Sequence, residues 1–210
     1  MKSIYVIIDA SSYINLSTVE HRFLNTDTLL DAFGEEVILR YSSTVNQEIS
    51  SHWDNNMPDS LKRSAKIHQL EKYGQGEYEK RLFDDISQTS RDQGEKDNFA
   101  VALDLFFIQK KMNLVFLTDD DKAISGCLNE VKDAFPIIKI WNSFDAVLFL
   151  YSLKRKDFFM EAAENALQDL HKLTTSDNEK TDPRKMSERL KKLARYKKYL
   201  ERIEKLHKRG

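Results

Sequence analysis

Gly94–Lys111, GEKDNFAVALDLFFIQKK, is the stretch on which the reading of this chain turns. It opens with a glycine and two acids, Glu95 and Asp97, and becomes almost wholly apolar from Phe99 to Ile108. About 14 good helix formers without an internal Gly or Pro predict a helix buried on most sides. Acids in its first turn suit the positive end of the helix dipole. That accounts for one acid. It does not account for acids at three similar places: Asp9 after a strand pattern, Glu48 early in a helix pattern, and Asp119, Asp120 and Asp121 after another strand pattern.

Working outward, Ile4–Ile8, Val37–Tyr41, Leu114–Thr118 and Ile137–Ile140 are short apolar runs of the kind that form buried parallel strands. Helical patterns alternate with them. Asn25–Phe33 is closed by Gly34 as a C′ glycine. Thr44 and Gln47 have capping-box spacing ahead of a Val45, Ile49 stripe, with Glu48 in the first turn or so. Lys122–Val131 and a segment from Asn142 or Ser143 to Leu153 complete the alternation. The expected fold is therefore α/β: a three-layer α/β/α sandwich over residues 1–153, with a mainly parallel sheet of about four or five strands. Residues 54–90 are more polar and predict a two-helix arm, one stripe running through Leu61, Ala65, Ile67 or His68, and Leu70. Residues 154–173 predict a further packing helix, 174–183 a polar linker without caps, and 184–210 a basic amphipathic helix striped by Met186, Leu190, Leu193, Tyr196, Leu200 and Ile203.

Charge is unevenly placed. The net charge of −1 conceals +9 in residues 183–210 against −10 in the remainder. An acidic body with a basic tail fits a cation-binding core with a phosphate-attracting arm; it also fits a solvated or docked helix. The tail's apolar stripe needs cover from the body, a second copy or a partner protein. Cys127 is the only cysteine, which excludes an internal disulfide framework and fits a reducing, cytoplasmic setting. The run Ile4–Ile8 is too short for a signal-peptide core, and no run approaches the roughly 20 apolar residues of a membrane span. No Cys/His set has zinc spacing, and the five histidines are scattered and expected at the surface.

In parallel α/β sheets ligands sit beyond the carboxyl ends of the strands. Asp9 and Asp119–Asp121 fall there, with Glu48, Glu95 and Asp97 at nearby helix starts. Each alone has a structural explanation, Asp9 as a helix cap and the others as dipole partners. Brought together, they would repel unless a cation or protons offset the charge. Oxygen-only donors select Mg2+ or Mn2+. Ser11 and Thr118, beside the strand-end acids, are placed to orient carboxylates or water in an outer shell.

Ile7-Ile8-Asp9-Ala10-Ser11-Ser12-Tyr13-Ile14 resembles the opening motif of PIN-domain nucleases, an aspartate followed two residues later by Ser or Asn. Thr44-Val45-Asn46-Gln47-Glu48-Ile49 resembles their second motif, Gly94–Ala102 the acidic start of their central helix, and Leu117-Thr118-Asp119-Asp120-Asp121 their fourth. The resemblance covers roughly residues 3–145. It implies a metal-dependent endoribonuclease acting on single-stranded RNA, with Asp9, Glu48, Glu95, Asp97 and Asp119 or Asp120 at the metal. It also implies a toxin-type variant in which an antitoxin covers the tail or arm. RNA affinity would come from Arg91, Lys96 and Lys122 near the site and from Lys191, Lys192, Arg195, Lys197 and Lys198 on the tail. The alternative is an inert nucleic-acid-binding or assembly module that acts through the basic helix.

Overall fold

The computed structural model describes residues 4–20, 27–54, 65–70, 93–120 and 138–208, with the side chain of Glu95 outside that set. Among them, five strands form one sheet: Tyr5–Ile8 (β1), Ile38–Tyr41 (β2), Ala65–Ile67 (β3), Leu114–Leu117 (β4) and Ile138–Trp141 (β5). Their order is β3-β2-β1-β4-β5 and every pair is parallel. The helices are Ala10–Thr18 (α1), Leu29–Glu36 (α2), Ser43–His52 (α3), Gln93–Leu103 (α4), Ser143–Lys154 (α5), Met160–Thr174 (α6), Asp177–Thr181 (α7) and Pro183–His207 (α8). This is the expected α/β class with a parallel sheet and C-terminal helices. Central strands of a parallel sheet are apolar on both faces; β4 is buried at all four residues and β1 at its last three. Lys66 and Lys139 fall on the two outermost strands, β3 and β5, and both are exposed.

By its internal contacts the chain divides into two compact units, residues 1–14 with 37–141, and residues 15–36 with 142–210. Residues 142–153, expected as the end of the first domain, belong to the second unit.

In the first unit α4 packs on β1, β2 and α3. Phe99, Val101, Leu103 and Leu105 join Ile7, Leu114, Phe116 and Ile138 in one apolar core. Burying each such side chain contributes about 1.5–3 kcal/mol. The helix expected here does not stay α-helical throughout. It widens into a π-helical turn, Asp104–Ile108, and Lys110 then adopts a left-handed φ of 56°. The turn carries Asp104, fully buried, whose Oδ2 lies 2.8 Å from His68 Nε2 and 3.3 Å from Gln109 Nε2. His68 is thus inside the protein and not on its surface, because a buried carboxyl needs a polar partner. His171, in the second unit, is also buried.

Residues 65–67, expected within a helical arm, form β3. Three residues show no period of their own, and the chance match of Leu61, Ala65 and Leu70 to helical spacing gave the wrong element. The rest of the arm falls mainly on residues 55–64 and 71–92, outside the described set. So do Asp121, Arg91 and the 122–131 helix.

The second unit is helical. Asn142 caps α5 in a reciprocal box with Asp145, and Phe33 of α2 meets Phe149 of α5 edge to face at 5.9 Å. Gly34 does not end α2, which runs on to Glu36; Glu35 and Glu36 pair with Lys154 at 2.6 and 3.1 Å and hold the last turn. The expected linker contains α7, capped by Ser176 with Glu179. Asp182 caps α8, with Pro183 at its first turn. The centre of the α8 stripe, Tyr196 and Leu200, is buried against the unit's own helices. Tyr196 Oη accepts from Asn142 Nδ2 at 2.9 Å and donates to Asp145 Oδ1 at 3.2 Å. Leu190 stays 50% exposed.

One polar side chain ties α4 to the sheet. Asn98, fully buried, donates through Nδ2 to the Ile8 carbonyl (2.9 Å) and accepts through Oδ1 from the Ser42 amide (2.8 Å). It thereby joins the carboxyl ends of β1 and β2. Asn98→Leu leaves both backbone groups buried and unpaired, at about 1–3 kcal/mol each. Urea unfolding is expected to register a loss of about 2–5 kcal/mol. A loss under about 1 kcal/mol would show that the strand ends are held by something else.

Candidate functional site

The strand order reverses between β1 and β4: β2 and β3 extend the sheet to one side and β5 to the other. Open parallel sheets bind ligands at that crevice, beyond the strands' carboxyl ends. Asp9 and the 118–120 turn occupy it. The Asp9 amide donates to the Leu117 carbonyl at 3.0 Å, so the side chain projects just past the ladder and beside Thr118.

Asp9 is both cap and cleft residue. Its Oδ1 accepts from the Ser12 amide at 2.8 Å, in the first turn of α1. Ser11 Oγ sits 3.0 and 3.1 Å from its two oxygens, and the Thr118 hydroxyl donates to Oδ2. Thr118 Oγ1 in turn accepts from the Asp120 amide at 3.1 Å, which fixes the turn relative to Asp9. Asp9 is only 5% exposed. Burial pushes its carboxyl up from 3.8 to about 7; the hydrogen bonds from Thr118, Ser12 and Ser11 oppose that rise and the Asp119 charge adds to it.

α3 is capped by Ser42, whose Oγ accepts from the Val45 amide at 3.2 Å, and not by Thr44. Glu48 therefore lies in the second turn, past the reach of a first-turn dipole effect. Thr44, one residue inside the helix, donates its hydroxyl to Asp97 Oδ2 instead. Asp97 is 1% exposed and also accepts from Gln93 Nε2 at 2.7 Å. Glu48 is exposed, and partial desolvation and then the Asp97 charge raise its pKa. A Cβ at Gly94 would come within 3.1 Å of Glu48 Oε1, so a glycine there lets the start of α4 approach that carboxylate.

Asp9, Ser11, Glu48, Gly94 and Asp120, with Ala10, Ile14 and Val45, line a cleft of about 310 Å³. Three of the expected ligands thus share one cleft: Asp9, Glu48 and Asp120. Asp97 and Asp119 lie outside its lining; their charges act on Glu48 and Asp9 respectively. Among the described residues no three Asp, Glu, His or Cys side chains gather closely enough to hold a metal ion. Asp121, Arg91, Lys122 and the side chain of Glu95 lie outside the described set, and Lys96 is half-buried on α4. The tail cations belong to the second unit.

Sequence reasoning named Thr44 only as a cap and passed over Gln93 and Asn98. Asn98 had one signal, an amide at the head of an otherwise apolar run. Gln93 precedes Asp97 by four residues, a helical-neighbour spacing. The chain matches no protein-family model, no curated protein and no solved structure.

A raised Asp9 pKa links stability to pH. The protonated carboxyl contributes its stabilisation fully below about 3.8, and that contribution is lost as pH rises through about 7. In EDTA, stability is expected to fall between those values by up to about 4 kcal/mol. Asp9→Asn should flatten the decline and melt higher than the unaltered chain at pH 8. Parallel pH profiles for the two proteins would show that Asp9 titrates normally.

Proposed function

We propose that the chain is a Mg2+- or Mn2+-dependent endoribonuclease of PIN-like type that hydrolyses single-stranded RNA in the cytoplasm. One observation carries this reading: Asp9 and Asp120, from the ends of the two strands where the sheet order reverses, line the same cleft as Glu48. The resemblance of the four acidic segments to PIN motifs supports it. So does the state of Asp9, a carboxyl whose burial at the cleft pushes its pKa up toward neutrality, so that a cation there would restore the charged form.

The donors fit a hard divalent cation, being carboxylate oxygens with hydroxyls behind them. Asp9, Glu48 and Asp120 line the cleft that would receive it, and they would have to draw closer to ligate it together. When bound, such a cation supplies positive charge to a phosphodiester and makes water acidic enough to be a nucleophile near neutral pH. The remaining work belongs to the chain. Ser11, Thr118 and the Ser12 amide fix the rotamer of Asp9, leaving it little freedom to turn away from the cleft. Thr44 and Gln93 hold Asp97 in place, where its charge acts on Glu48. Ala10, Ile14 and Val45 give the cleft an apolar wall.

A second reading, an inert nucleic-acid-binding or assembly module, is favoured by the internal hydrogen bonding of Asp9 and Asp97 and by the lack of a three-acid cluster among the described residues. The toxin variant needs an antitoxin surface, and the centre of the α8 stripe is already used within its own unit.

Mn2+ separates the two readings. At a concentration a hundredfold above its dissociation constant it should stabilise the chain by about 2.7 kcal/mol, seen as a rise in melting temperature that Asp9→Asn abolishes. Cleavage of single-stranded RNA should require Mn2+ or Mg2+, stop in EDTA, and fall at least about a hundredfold in Asp9→Asn and about 10- to 100-fold in Thr118→Ala. Melting curves indifferent to Mn2+ at millimolar levels would leave the inert module standing.

A further inference from the structure

Lys191, Arg195, Lys198, Arg202 and Lys205 follow one another along α8 at intervals of four, three, four and three residues. That spacing aligns them on one face of the helix over about 21 Å. All five are exposed, while the opposite face carries the buried Tyr196 and Leu200. Several other cations at this end of the chain are differently used. Arg189, Lys197 and Lys208 pair with Glu179, Glu164 and Glu204 at 2.8, 3.9 and 3.2 Å, and Lys192 lies over the Phe144 ring at 5.5 Å. None of the five has a carboxylate partner among the described residues; Arg195 and Arg202 lie instead over tyrosine rings. Like charges one turn apart oppose helix formation, so the row stands against its own electrostatics. Beside it Tyr199 is 36% exposed, with the Arg202 guanidinium 5.8 Å above its ring.

We propose that this row binds the sugar-phosphate backbone of single-stranded nucleic acid and that Tyr199 offers a face for base stacking. A line of cations tracks a line of phosphates, and an exposed aromatic at its side suits unpaired bases. An anionic membrane fits less well, because a surface helix needs a free apolar face to insert and the centre of this one is engaged. The proposal deepens the ribonuclease reading by assigning affinity to α8. It replaces Lys192 and Lys197 in the expected binding set with Arg202 and Lys205.

The test is anisotropy of a labelled single-stranded RNA of about 20 nucleotides with the full chain in EDTA, across salt concentrations. Five engaged cations predict a slope of about −3.5 in log affinity against log salt, roughly a hundredfold weakening between 50 and 200 mM. Replacing Lys191, Lys198 and Lys205 together by Gln should flatten the slope by about 2. Tyr199→Ala should weaken binding about tenfold and leave the slope alone. The paired change Lys192→Gln, Lys197→Gln should leave the slope intact. Circular dichroism should show the helix kept in each variant. A triple variant with unchanged slope overturns the proposal, as does equal binding to vesicles rich in phosphatidylserine. EDTA removes the cation, so the two readings fail separately. Binding along the row without Mn2+-dependent cleavage sinks the ribonuclease alone. Cleavage by a chain whose triple variant keeps its slope sinks the row alone.

Discussion

The first unit depends on a side-chain amide doing what backbone cannot. Where two parallel strands end, their last carbonyl and the next amide have no ladder partner, and buried they would each carry a desolvation penalty. Asn98 satisfies one of each at once. Because a carbonyl only accepts and an amide N–H only donates, the orientation of the Asn98 side chain is dictated by its partners. Asp in that place lacks the donor, Gln is one methylene too long, and Ser lacks the second polar atom. The same contact sets where α4 begins relative to β1 and β2, and hence where Gly94 meets Glu48 and where Asp97 meets Thr44.

The acids around the cleft are managed in two ways. Those inside, Asp9 and Asp97, are surrounded by hydroxyl, amide and backbone donors. Those at the opening, Glu48 and Asp120, are exposed. The inner pair keeps fixed geometry at the expense of burial; the outer pair can shift to meet a ligand. Such a division lets a site be stiff where orientation matters and adjustable where charge has to be matched.

The parallel sheet was legible because β1, β2, β4 and β5 are continuous apolar runs, and buried central strands leave that mark. β3 left none, being three residues long with Lys66 and Ile67 outward. The acids were legible as a set by their position after strands, yet their individual surroundings were not. The displaced cap at Ser42 shows why: Ser42, Ser43 and Thr44 are all able caps, and only the tie from Asn98 to the Ser42 amide selects the first. The π-helical turn and the His68–Asp104 pair were hidden for a related reason. They depend on contacts between segments 36 residues apart, which local periodicity does not encode.

The outermost strands have a consequence for the behaviour of many copies together. A sheet border is a template for another chain's backbone, and long flat apolar borders invite polymerisation. Among the described residues each border is only three or four residues long and bears a lysine, Lys66 on one side and Lys139 on the other. An approaching strand would meet a like charge on its own counterpart and too short a run of free amides to compensate. Among the described residues, the borders of the sheet therefore offer a poor template for lateral growth.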